Sequence, residues 1–499
     1  MKLEKFLMLA SAAILLGACT SEMDVDAGTD AKEFAAGAHL TIKYEGNYPT
    51  RQTLDQMHQE LFFQSAVQIA LWAQPMVATG IAKAGMEDAG IFNTTISIAE
   101  QRATSKNVIA TANQTTVYAY GFTELGDEPM VFTIAPSSLG FIADVWQRPI
   151  EDVGFTGPDA GKGGKYIIAP PGYEGDLPAA SEGVYVYESP TKTVFWLQRA
   201  FISGDQTEED AVNNLKQHSR IYPLSEEGAP QEQHFVNQSV TPFFAVPDYK
   251  GIAFWNMLDK MVQLEPVQER DLAIMGLAKT IGIQKGKKFE PSEKQIEILL
   301  SAQVTARAMM IAMGFDSQKD GIKIYDGLEW ESAFQTKSPY FDGAGHTETH
   351  ERAAFAYQAM TGAKSMVNTW RGKGSKYQVT GRDHSGDFLN GSNTYSLNVP
   401  ANVPINNYWS IAVYDVETRS LIDNGTPQST TGSGKNLEVN SDGSVDLYFG
   451  PAKPEGVKDT NFVLTKPGEG WFAYFRYYGP LEAYYDQSWK PNDFVRVTD

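Results

Sequence analysis

Apolar residues at helical spacing mark the first predicted element of the chain. Leu54, Met57 and Leu61 recur every three to four residues, the spacing that places side chains on one face of a helix. The segment FFQSAVQIALWAQ continues this pattern and is followed by Pro75. We therefore predict a helix that starts near Thr53 and stops at Pro75, because proline interrupts helical hydrogen bonding.

Short segments rich in β-branched and aromatic residues replace the helical spacing after about residue 107. TTVYAYGF, EPMVFTIA, GVYVYES and KTVFWLQRAF are separated by Gly, Pro and Asp, a pattern that predicts strands of an antiparallel sandwich or barrel. Helical spacing returns between about residues 250 and 372. There Ser292 and Gln295 stand three positions apart and form a predicted capping box at a helix start.

Strict alternation of apolar and polar residues marks a second β region from about residue 376 onward. Val445, Leu447 and Phe449 alternate with polar residues, and every second residue of WFAYFRYY, beginning with Trp471, forms a similar set. The predicted fold class is mixed and β-dominated. It has two antiparallel β-sandwich, jelly-roll-like modules joined by a mainly helical middle region.

The N-terminus has the layout of an export signal. A short basic region precedes an apolar run, Phe6 to Leu16, which is too short to span a membrane. The following LGAC resembles a bacterial lipobox and ends at Cys19, the single cysteine of the 499 residues. An ordinary signal peptide with a chance cysteine is the alternative. Two or three acyl chains on Cys19 would anchor the protein firmly, and Thr20 after the cysteine indicates sorting to the outer membrane of a bacterial cell envelope.

These patterns predict the following division of the chain: lipoprotein signal peptide 1–18, flexible tether 19–50, N-terminal helical segment 51–106, first β module 107–249, helical linker region 250–375 and second β module 376–499. We predict that no segment after the signal peptide is long and apolar enough to span a bilayer. With 42% hydrophobic and 12% aromatic residues, a chain of this length can bury a sizeable core.

Charge and cysteine content exclude several classes of function. The chain has 41 Lys and Arg against 61 Asp and Glu, a formal net charge of −20, which argues against binding nucleic acid or anionic lipid head groups. Acylation of Cys19 leaves no free thiol, and therefore no disulfide, thiolate metal site or cysteine nucleophile. We predict neither a metal nor a cofactor.

Two local motifs resemble a phosphate-binding loop and a metal site, but each lacks part of the pattern that such a site requires. GPDAGKGGKY, residues 157–166, lacks the spacing of a phosphate-binding loop, so we predict a Gly-rich turn before a strand. His346 and His350 in HTETHE stand four residues apart and could share a metal on a helix. No third ligand is evident, and a polar helix start is favoured.

Candidate ligand-binding residues are the aromatic and charged side chains of the predicted strands. Planar aromatic faces suit sugars and other ring ligands, although aromatics on strands also fill cores. An arginine in an aromatic strand is costly to bury unless it pairs with a carboxylate or a ligand, and Asp415 is the candidate partner of Arg476. The candidates are Tyr118, Trp146, Arg199, Trp409, Tyr414, Asp415 and Arg476.

Several long segments resemble a known pair of families. DVGFTGPDAGKGGKYIIAPPGYEGDLP and SPTKTVFWLQRAF resemble domain of unknown function 1254. LNGSNTYSLNVPANVPINNYWSIAVYDVETRSLI, NSDGSVDLYFGP and TKPGEGWFAYFRYYGPLEAYYDQSWKP resemble its companion, domain of unknown function 1214. The resemblance covers roughly residues 55–497 and implies envelope-associated proteins with two β-sandwich modules, often oligomeric, and no agreed reaction. Where many members have Asn-x-Asp-Thr, this chain has Asn113-Gln114-Thr115-Thr116, so an acid at that position would be missing.

Two functions remain open from the sequence. The favoured one is a membrane-tethered protein that binds a glycan or another small polar ligand in an aromatic-lined cleft. The family resemblance adds a homo-oligomer as an expected state. The alternative is an envelope hydrolase acting on glycans or a related exported substrate, which would need two carboxylates in one cleft or an acid with a metal-bound water. The available carboxylates are Asp144, Asp152, Asp383 and Asp415.

Overall fold

The computed structural model describes residues 42–202, 206–241 and 251–497. The predicted signal peptide, Cys19 and most of the predicted tether therefore lie outside the described residues.

The helices come chiefly from the start and the middle of the chain. Helices α1, α3, α4, α5 and α6 pack around one shared apolar core. The helix bounds are α1 (Arg51–Asp88), α2 (Glu208–His218), α3 (Ala253–Leu264), α4 (Leu272–Thr280), α5 (Glu293–Phe315), α6 (Thr349–Gln358), α7 (Lys364–Val367) and α8 (Glu482–Tyr485).

Helix α1 corrects one prediction, because it continues through Pro75 instead of stopping there. Proline removes one backbone donor and one helical hydrogen bond. The flanking side chains Trp72, Met76 and Val77 are buried in the helical core, and this packing offsets the lost hydrogen bond. The capping box of α5 is confirmed, since Ser292 accepts a hydrogen bond from the Gln295 amide and the Gln295 side chain accepts one from the Ser292 amide.

Helix α5 corrects a second prediction. It is long and apolar enough, by length and composition, to cross a membrane, with a mean hydropathy of 1.5 in its most apolar window. In the fold 39% of that window is buried, and Ile298, Leu299 and Ala302 belong to the helical core. The apolar composition of α5 thus serves helix packing against α1 and α6.

The first β module is a sandwich of two sheets that follows an N-terminal hairpin. Its sheets have the strand orders β12-β3-β4-β10-β6-β7 and β11-β5-β8-β9, and the pairs β3–β12 and β8–β9 are parallel. The strands are β1 (Tyr44–Glu45) and β2 (Tyr48–Pro49) of the hairpin, then β3 (Ile96–Ile98), β4 (Val117–Glu124), β5 (Met130–Ile134), β6 (Ser138–Asp144), β7 (Pro149–Gly154), β8 (Gly164–Ala169), β9 (Val184–Glu188), β10 (Thr193–Ala200), β11 (Arg220–Pro223) and β12 (Phe235–Asn237).

The second β module is also a sandwich. Its sheets have the orders β13-β16-β22-β18-β19 and β21-β20-β17-β23, with a parallel pair between β20 and β21 and a separate hairpin of β14 and β15. The strands are β13 (Glu331–Ser332), β14 (Asp342–Gly343), β15 (His346–Thr347), β16 (Ser375–Thr380), β17 (Tyr395–Val399), β18 (Trp409–Asp415), β19 (Thr430–Gly432), β20 (Val445–Gly450), β21 (Phe462–Leu464), β22 (Trp471–Tyr478) and β23 (Val495–Arg496).

The mixed, β-dominated fold class with a helical middle region is confirmed. Helix α2, within the first β region, was missed, although Thr207 and Asp210 form a capping box there. The alternation of strand residues creates two faces on each central strand. On β22, Trp471 and Phe475 lie in the sandwich core, while Phe472 and Tyr474 lie on the opposite face.

Candidate ligand-binding site

A cavity of about 160 Å³ lies between the two β modules. Strands β4, β6 and β10 of the first module line one side, through residues on the sheet face that points away from the sandwich core. Strands β16 and β22 of the second module line another side. Residues 109–113, most of residues 359–366 and Ala82 of α1 also contribute to the wall. The site is therefore assembled from segments far apart in the sequence.

Polarity changes along the length of the cavity. Strands β4 and β10 are neighbours in the sheet. Arg199 lies opposite Tyr118 at one end of the pair, and Phe195 lies opposite Phe122 four residues away. At about 3.3 Å per residue, four residues along a strand span about 13 Å. Met360 and Phe141 add to the apolar lining. The cavity is thus polar at the Arg199 end and apolar at the Phe195 end.

Two buried guanidinium groups define the polar end. Arg199 is 6% exposed and Arg476 is 4% exposed, and both line the cavity. Arg199 donates hydrogen bonds to the Tyr118 hydroxyl at 3.2 Å and to Ser375 Oγ at 3.0 Å. Arg476 donates to the carbonyl oxygen of Thr111 at 2.8 Å. Within the described ranges neither arginine forms a salt bridge.

Aromatic rings surround both arginines. The Arg199 guanidinium lies 5.7 Å from the ring centres of Phe201 and Tyr478 and 6.0 Å from that of Tyr118. The guanidinium of Arg476 lies 5.5 to 5.8 Å from the rings of three tyrosines, Tyr377, Tyr414 and Tyr474. Cation–π contacts of this kind contribute roughly 0.5–2 kcal/mol. They offset part of the free energy required to bury the two positive charges, but they do not provide a negative charge.

A hydrogen-bonded network joins the polar end to the loop before β4. Asn113 Nδ2 donates to the Tyr118 hydroxyl at 3.0 Å and to the Tyr478 hydroxyl at 2.7 Å. Thr115 Oγ1, at the position where the family resemblance implies an aspartate, donates to Asn113 Oδ1 at 2.6 Å. The network therefore contains amide and hydroxyl groups where a carboxylate would otherwise stand.

Of the candidate binding residues, Tyr118, Arg199 and Arg476 line the cavity. Tyr414 stands behind Arg476 and donates a hydrogen bond to the carbonyl oxygen of Ala112 at 2.7 Å. Its hydroxyl thereby holds the loop that forms part of the wall.

The two candidate tryptophans, Trp146 and Trp409, lie outside the cavity. Trp146 packs against Trp72 in the helical core, with ring centres 4.7 Å apart. Trp409 packs against Phe475 inside the second sandwich, with ring centres 5.6 Å apart. Neither tryptophan lines the cavity.

The expected pairing of Asp415 with Arg476 is wrong. In the sheet Arg476 lies opposite Ser410, and Asp415 lies opposite Trp471 at the other end of the strand pair. The Asp415 carboxylate instead accepts hydrogen bonds from the amide and hydroxyl of Thr418, at 2.7 and 3.0 Å. It stabilises the turn after β18.

The other carboxylates proposed for a hydrolase also bind backbone amides. Asp144 accepts from the amides of Trp146 and Arg148, and Asp152 from those of residues 364 and 365. Burial raises the pKa of Asp144 and the pKa of Asp152 to about 6. Asp383 accepts from the amides of residues 385 and 387. Among the described residues that line the cavity, none carries a carboxylate.

The two motifs that suggested phosphate or metal sites have structural explanations. In GPDAGKGGKY the Asp159 carboxylate accepts hydrogen bonds from the amides of Gly154 and Gly163 and from the Tyr166 hydroxyl. The loop therefore folds around its own carboxylate. His346 and His350 are both exposed, and the described part of the chain holds no cluster of three potential metal ligands.

Sequence reasoning missed Asn113, Tyr377 and Tyr478 as residues of the site. Alternation in WFAYFRYY could have placed Tyr478 on the same face as Arg476, because the two are separated by one intervening residue. Nothing in the sequence indicates that Asn113 reaches β22, since the two segments are more than 350 residues apart.

Two family models match the chain. The model described as "Protein of unknown function (DUF1254)" matches residues 92–223, and that described as "Protein of unknown function (DUF1214)" matches residues 374–482. None of the curated proteins matches.

Two solved structures are similar to the chain. The VPA0106 protein from Vibrio parahaemolyticus is 17% identical, with a TM-score of 0.55 over 88% of this chain and 100% of that chain. An uncharacterised protein from Burkholderia cenocepacia is 11% identical, with a TM-score of 0.41 over 89% of this chain and 97% of that chain. The likeness to the Vibrio protein shows a shared fold.

Proposed function

The chain belongs to the family that pairs domains of unknown function 1254 and 1214, and we propose that it binds a small organic anion with an apolar body in the cavity between its two β modules. The observation that carries this proposal is the pair of buried arginines, Arg199 and Arg476, that line an otherwise largely apolar cavity and form no salt bridge within the described ranges.

Energetics support an anionic occupant. An uncompensated charge in a protein interior costs several kcal/mol even after relaxation, and the aromatic rings around each guanidinium offset only part of that cost. A guanidinium has five N–H donors, whereas Arg476 uses one on the Thr111 carbonyl oxygen and one on the Tyr414 hydroxyl, and Arg199 uses two on described side chains. The remaining donors suit a carboxylate, which guanidinium groups bind through paired hydrogen bonds.

The size and lining of the cavity indicate the rest of the ligand. An engineered apolar cavity of about 150 Å³ accommodates benzene, and this cavity has about 160 Å³. Phe122, Phe141 and Phe195 line it beyond the arginines. A single ring or a short hydrocarbon chain with a carboxylate at one end fits this arrangement. A glycan, which has hydroxyl groups on most carbons, would leave many of them without partners.

The hydrolase alternative receives less support from the geometry. A glycosidase of the common type needs two carboxyl groups flanking the bond to be cleaved. The four aspartates considered for that role each accept hydrogen bonds from nearby backbone amides, and none lines the cavity within the described residues.

A matched ligand series tests the proposal. Phenylacetate should bind in isothermal titration calorimetry, and phenylacetamide, which has the same shape without the charge, should bind about 10- to 150-fold more weakly. That range corresponds to the roughly 1.5–3 kcal/mol of a hydrogen bond to a charged group. Glucuronate, a carboxylate without an apolar body, is the second control. Equal binding of the acid and the amide, or preferential binding of glucuronate, would contradict the proposal.

We further propose that the protein acts at the bacterial cell envelope, held by acyl chains on Cys19, with the outer membrane as the expected location. The lipobox-like LGAC directly after an apolar run supports this assignment. The Cys19→Ser variant should remain unprocessed or be released from the membrane fraction, because the thiol that carries the lipid is gone. Cell fractionation with mass spectrometry measures both outcomes. Membrane association with wild-type processed mass in this variant would show that the lipoprotein assignment is wrong.

A further inference from the structure

The hydroxyl oxygen of Tyr118 is surrounded by hydrogen-bond donors. Asn113 Nδ2 lies 3.0 Å away and Arg199 Nη1 lies 3.2 Å away. The orientation of the Asn113 amide follows from its other contacts, because its Oδ1 accepts hydrogen bonds from the amide of Thr115 at 2.9 Å and from the hydroxyl of Thr115 at 2.6 Å. The amide nitrogen must therefore face Tyr118. Donors directed at a phenol oxygen stabilise the phenolate.

The charges around Tyr118 act in the same direction. Burial raises the pKa of Tyr118. The attraction of the phenolate to Arg199, a hydrogen bond with the Thr116 side chain and the attraction to Arg476 lower it, and the resulting pKa lies below that of an ordinary tyrosine. The other titratable groups that interact electrostatically with Tyr118 are four tyrosines, Tyr120, Tyr408, Tyr414 and Tyr478. Burial raises the pKa of each of these four tyrosines above that of an ordinary tyrosine.

We propose that Tyr118 is a general base that removes a proton from the carbon next to the oxo group of a bound 2-oxo carboxylate. This inference rests on the proposed anion-binding function. A carbon next to a bare carboxylate is too weakly acidic for a phenolate, because proton removal would place a second negative charge beside the first. An adjacent oxo group accepts that charge as an enolate oxygen, and the second guanidinium is available to stabilise it.

The proposed step is balanced within the site. The C3–H bond of the ligand breaks and its proton passes to the Tyr118 phenolate oxygen. The electron pair forms the C2–C3 double bond, while the C2–O pair moves onto oxygen as an enolate beside the guanidinium groups of Arg199 and Arg476. Return of the proton to C3 restores both the ligand and the phenolate. The apolar lining around Phe122 and Phe195 receives the side chain attached to C3 and limits access of water.

Exchange of hydrogen for deuterium measures this step on a defined probe. Phenylpyruvate has a carboxylate, a 2-oxo group and one aromatic ring, and its C3 protons exchange with D₂O when the enolate forms. We expect the protein to accelerate the loss of the C3 proton signal in NMR above the rate in buffer. The rate should rise with pH through an apparent pKa below the value of about 10 for free tyrosine.

Three variants separate a base from a structural residue. Tyr118→Phe keeps the ring and should lose roughly 10²- to 10⁴-fold of the protein-dependent rate, the usual contribution of a general base, while still binding phenylpyruvate in calorimetry. Asn113→Asp places a negative charge beside Tyr118 and should shift the pH profile to higher pH, which a purely structural role would not do. Tyr222→Phe, on β11 outside the cavity lining, is the matched control and should exchange at the wild-type rate.

The outcomes distinguish this inference from the proposed function. Binding of phenylpyruvate without accelerated exchange overturns the role of Tyr118 and leaves anion binding intact. Accelerated exchange that persists in Tyr118→Phe overturns it as well. Failure to bind phenylpyruvate, phenylacetate and their chain analogue hexanoate overturns the proposed function and this inference together.

Discussion

Replacing both cavity arginines, in the variant Arg199→Met with Arg476→Met, is expected to abolish anion binding while making the folded protein more stable. Hydrogen bonds to charged groups contribute about 1.5–3 kcal/mol each, so the loss of both sites should lower affinity for phenylacetate by more than about 100-fold. Methionine fills a similar volume without a charge. Replacing buried charges by apolar side chains of similar size is often neutral or stabilising by about 1–4 kcal/mol.

Calorimetry and denaturant unfolding on the same preparations measure both effects. Arg352→Met is the matched control, because Arg352 is also buried but lies in the helical core, with its guanidinium 5.3 Å from the ring of Trp146. It should leave affinity unchanged. Arg476→Lys keeps the charge and loses the planar fork, so it should fold normally and bind more weakly. Loss of stability with unchanged affinity in the double variant would identify the arginines as structural clamps.

Replacing Trp471 by alanine is expected to lower the free energy of unfolding by about 3–5 kcal/mol, the usual cost of removing a large aromatic side chain from a core. Trp471 is 1% exposed at the centre of the second sandwich. Its ring centre lies 5.7 Å from those of Tyr395 and Phe449 and 5.2 Å from that of Phe494. The indole nitrogen has no hydrogen-bond partner in the described residues, so the effect comes from apolar packing.

Guanidinium-induced unfolding of the full chain, followed by the near-ultraviolet circular dichroism of the aromatic core, measures this loss. Trp370→Ala is the matched control, since Trp370 is 38% exposed and its removal should change stability by less than about 1 kcal/mol. A Trp471→Ala variant as stable as Trp370→Ala would show that the second sandwich does not depend on this aromatic cluster.

Strands and the capping box of α5 were the features most accessible from the sequence. The alternation in WFAYFRYY separates two faces as predicted, because Trp471, Phe475 and Tyr477 lie in the sandwich core. The other face of β22 is also buried, which the alternation did not predict. Local rules suffice here, since successive side chains of a strand point to opposite faces whatever the strand pairs with. The capping box at Ser292 is also local, because it involves only residues three positions apart.

Predictions failed where packing outweighed a local preference. Pro75 is a helix breaker by its own chemistry, yet α1 continues because Trp72 and Met76 on either side of it are buried against other helices. The apolar composition of α5, likewise, reflects contacts with α1 and α6. Such contacts between distant segments leave no signal at a single position of the sequence.

The sequence by itself determined that Arg476 stands in an aromatic strand and needs an anion or another partner, because the cost of burying a charge is a property of the residue and its neighbours. Only the tertiary structure decided what surrounds it. Strand register places Asp415 at the far end of the β18–β22 pair. The packing of one module against the other brings Arg199 and Tyr118 of the first module to the cavity that Arg476 of the second module lines. Register and module packing depend on the summed contacts of whole sheets, so the partner of a buried charge cannot be read from the chain around it.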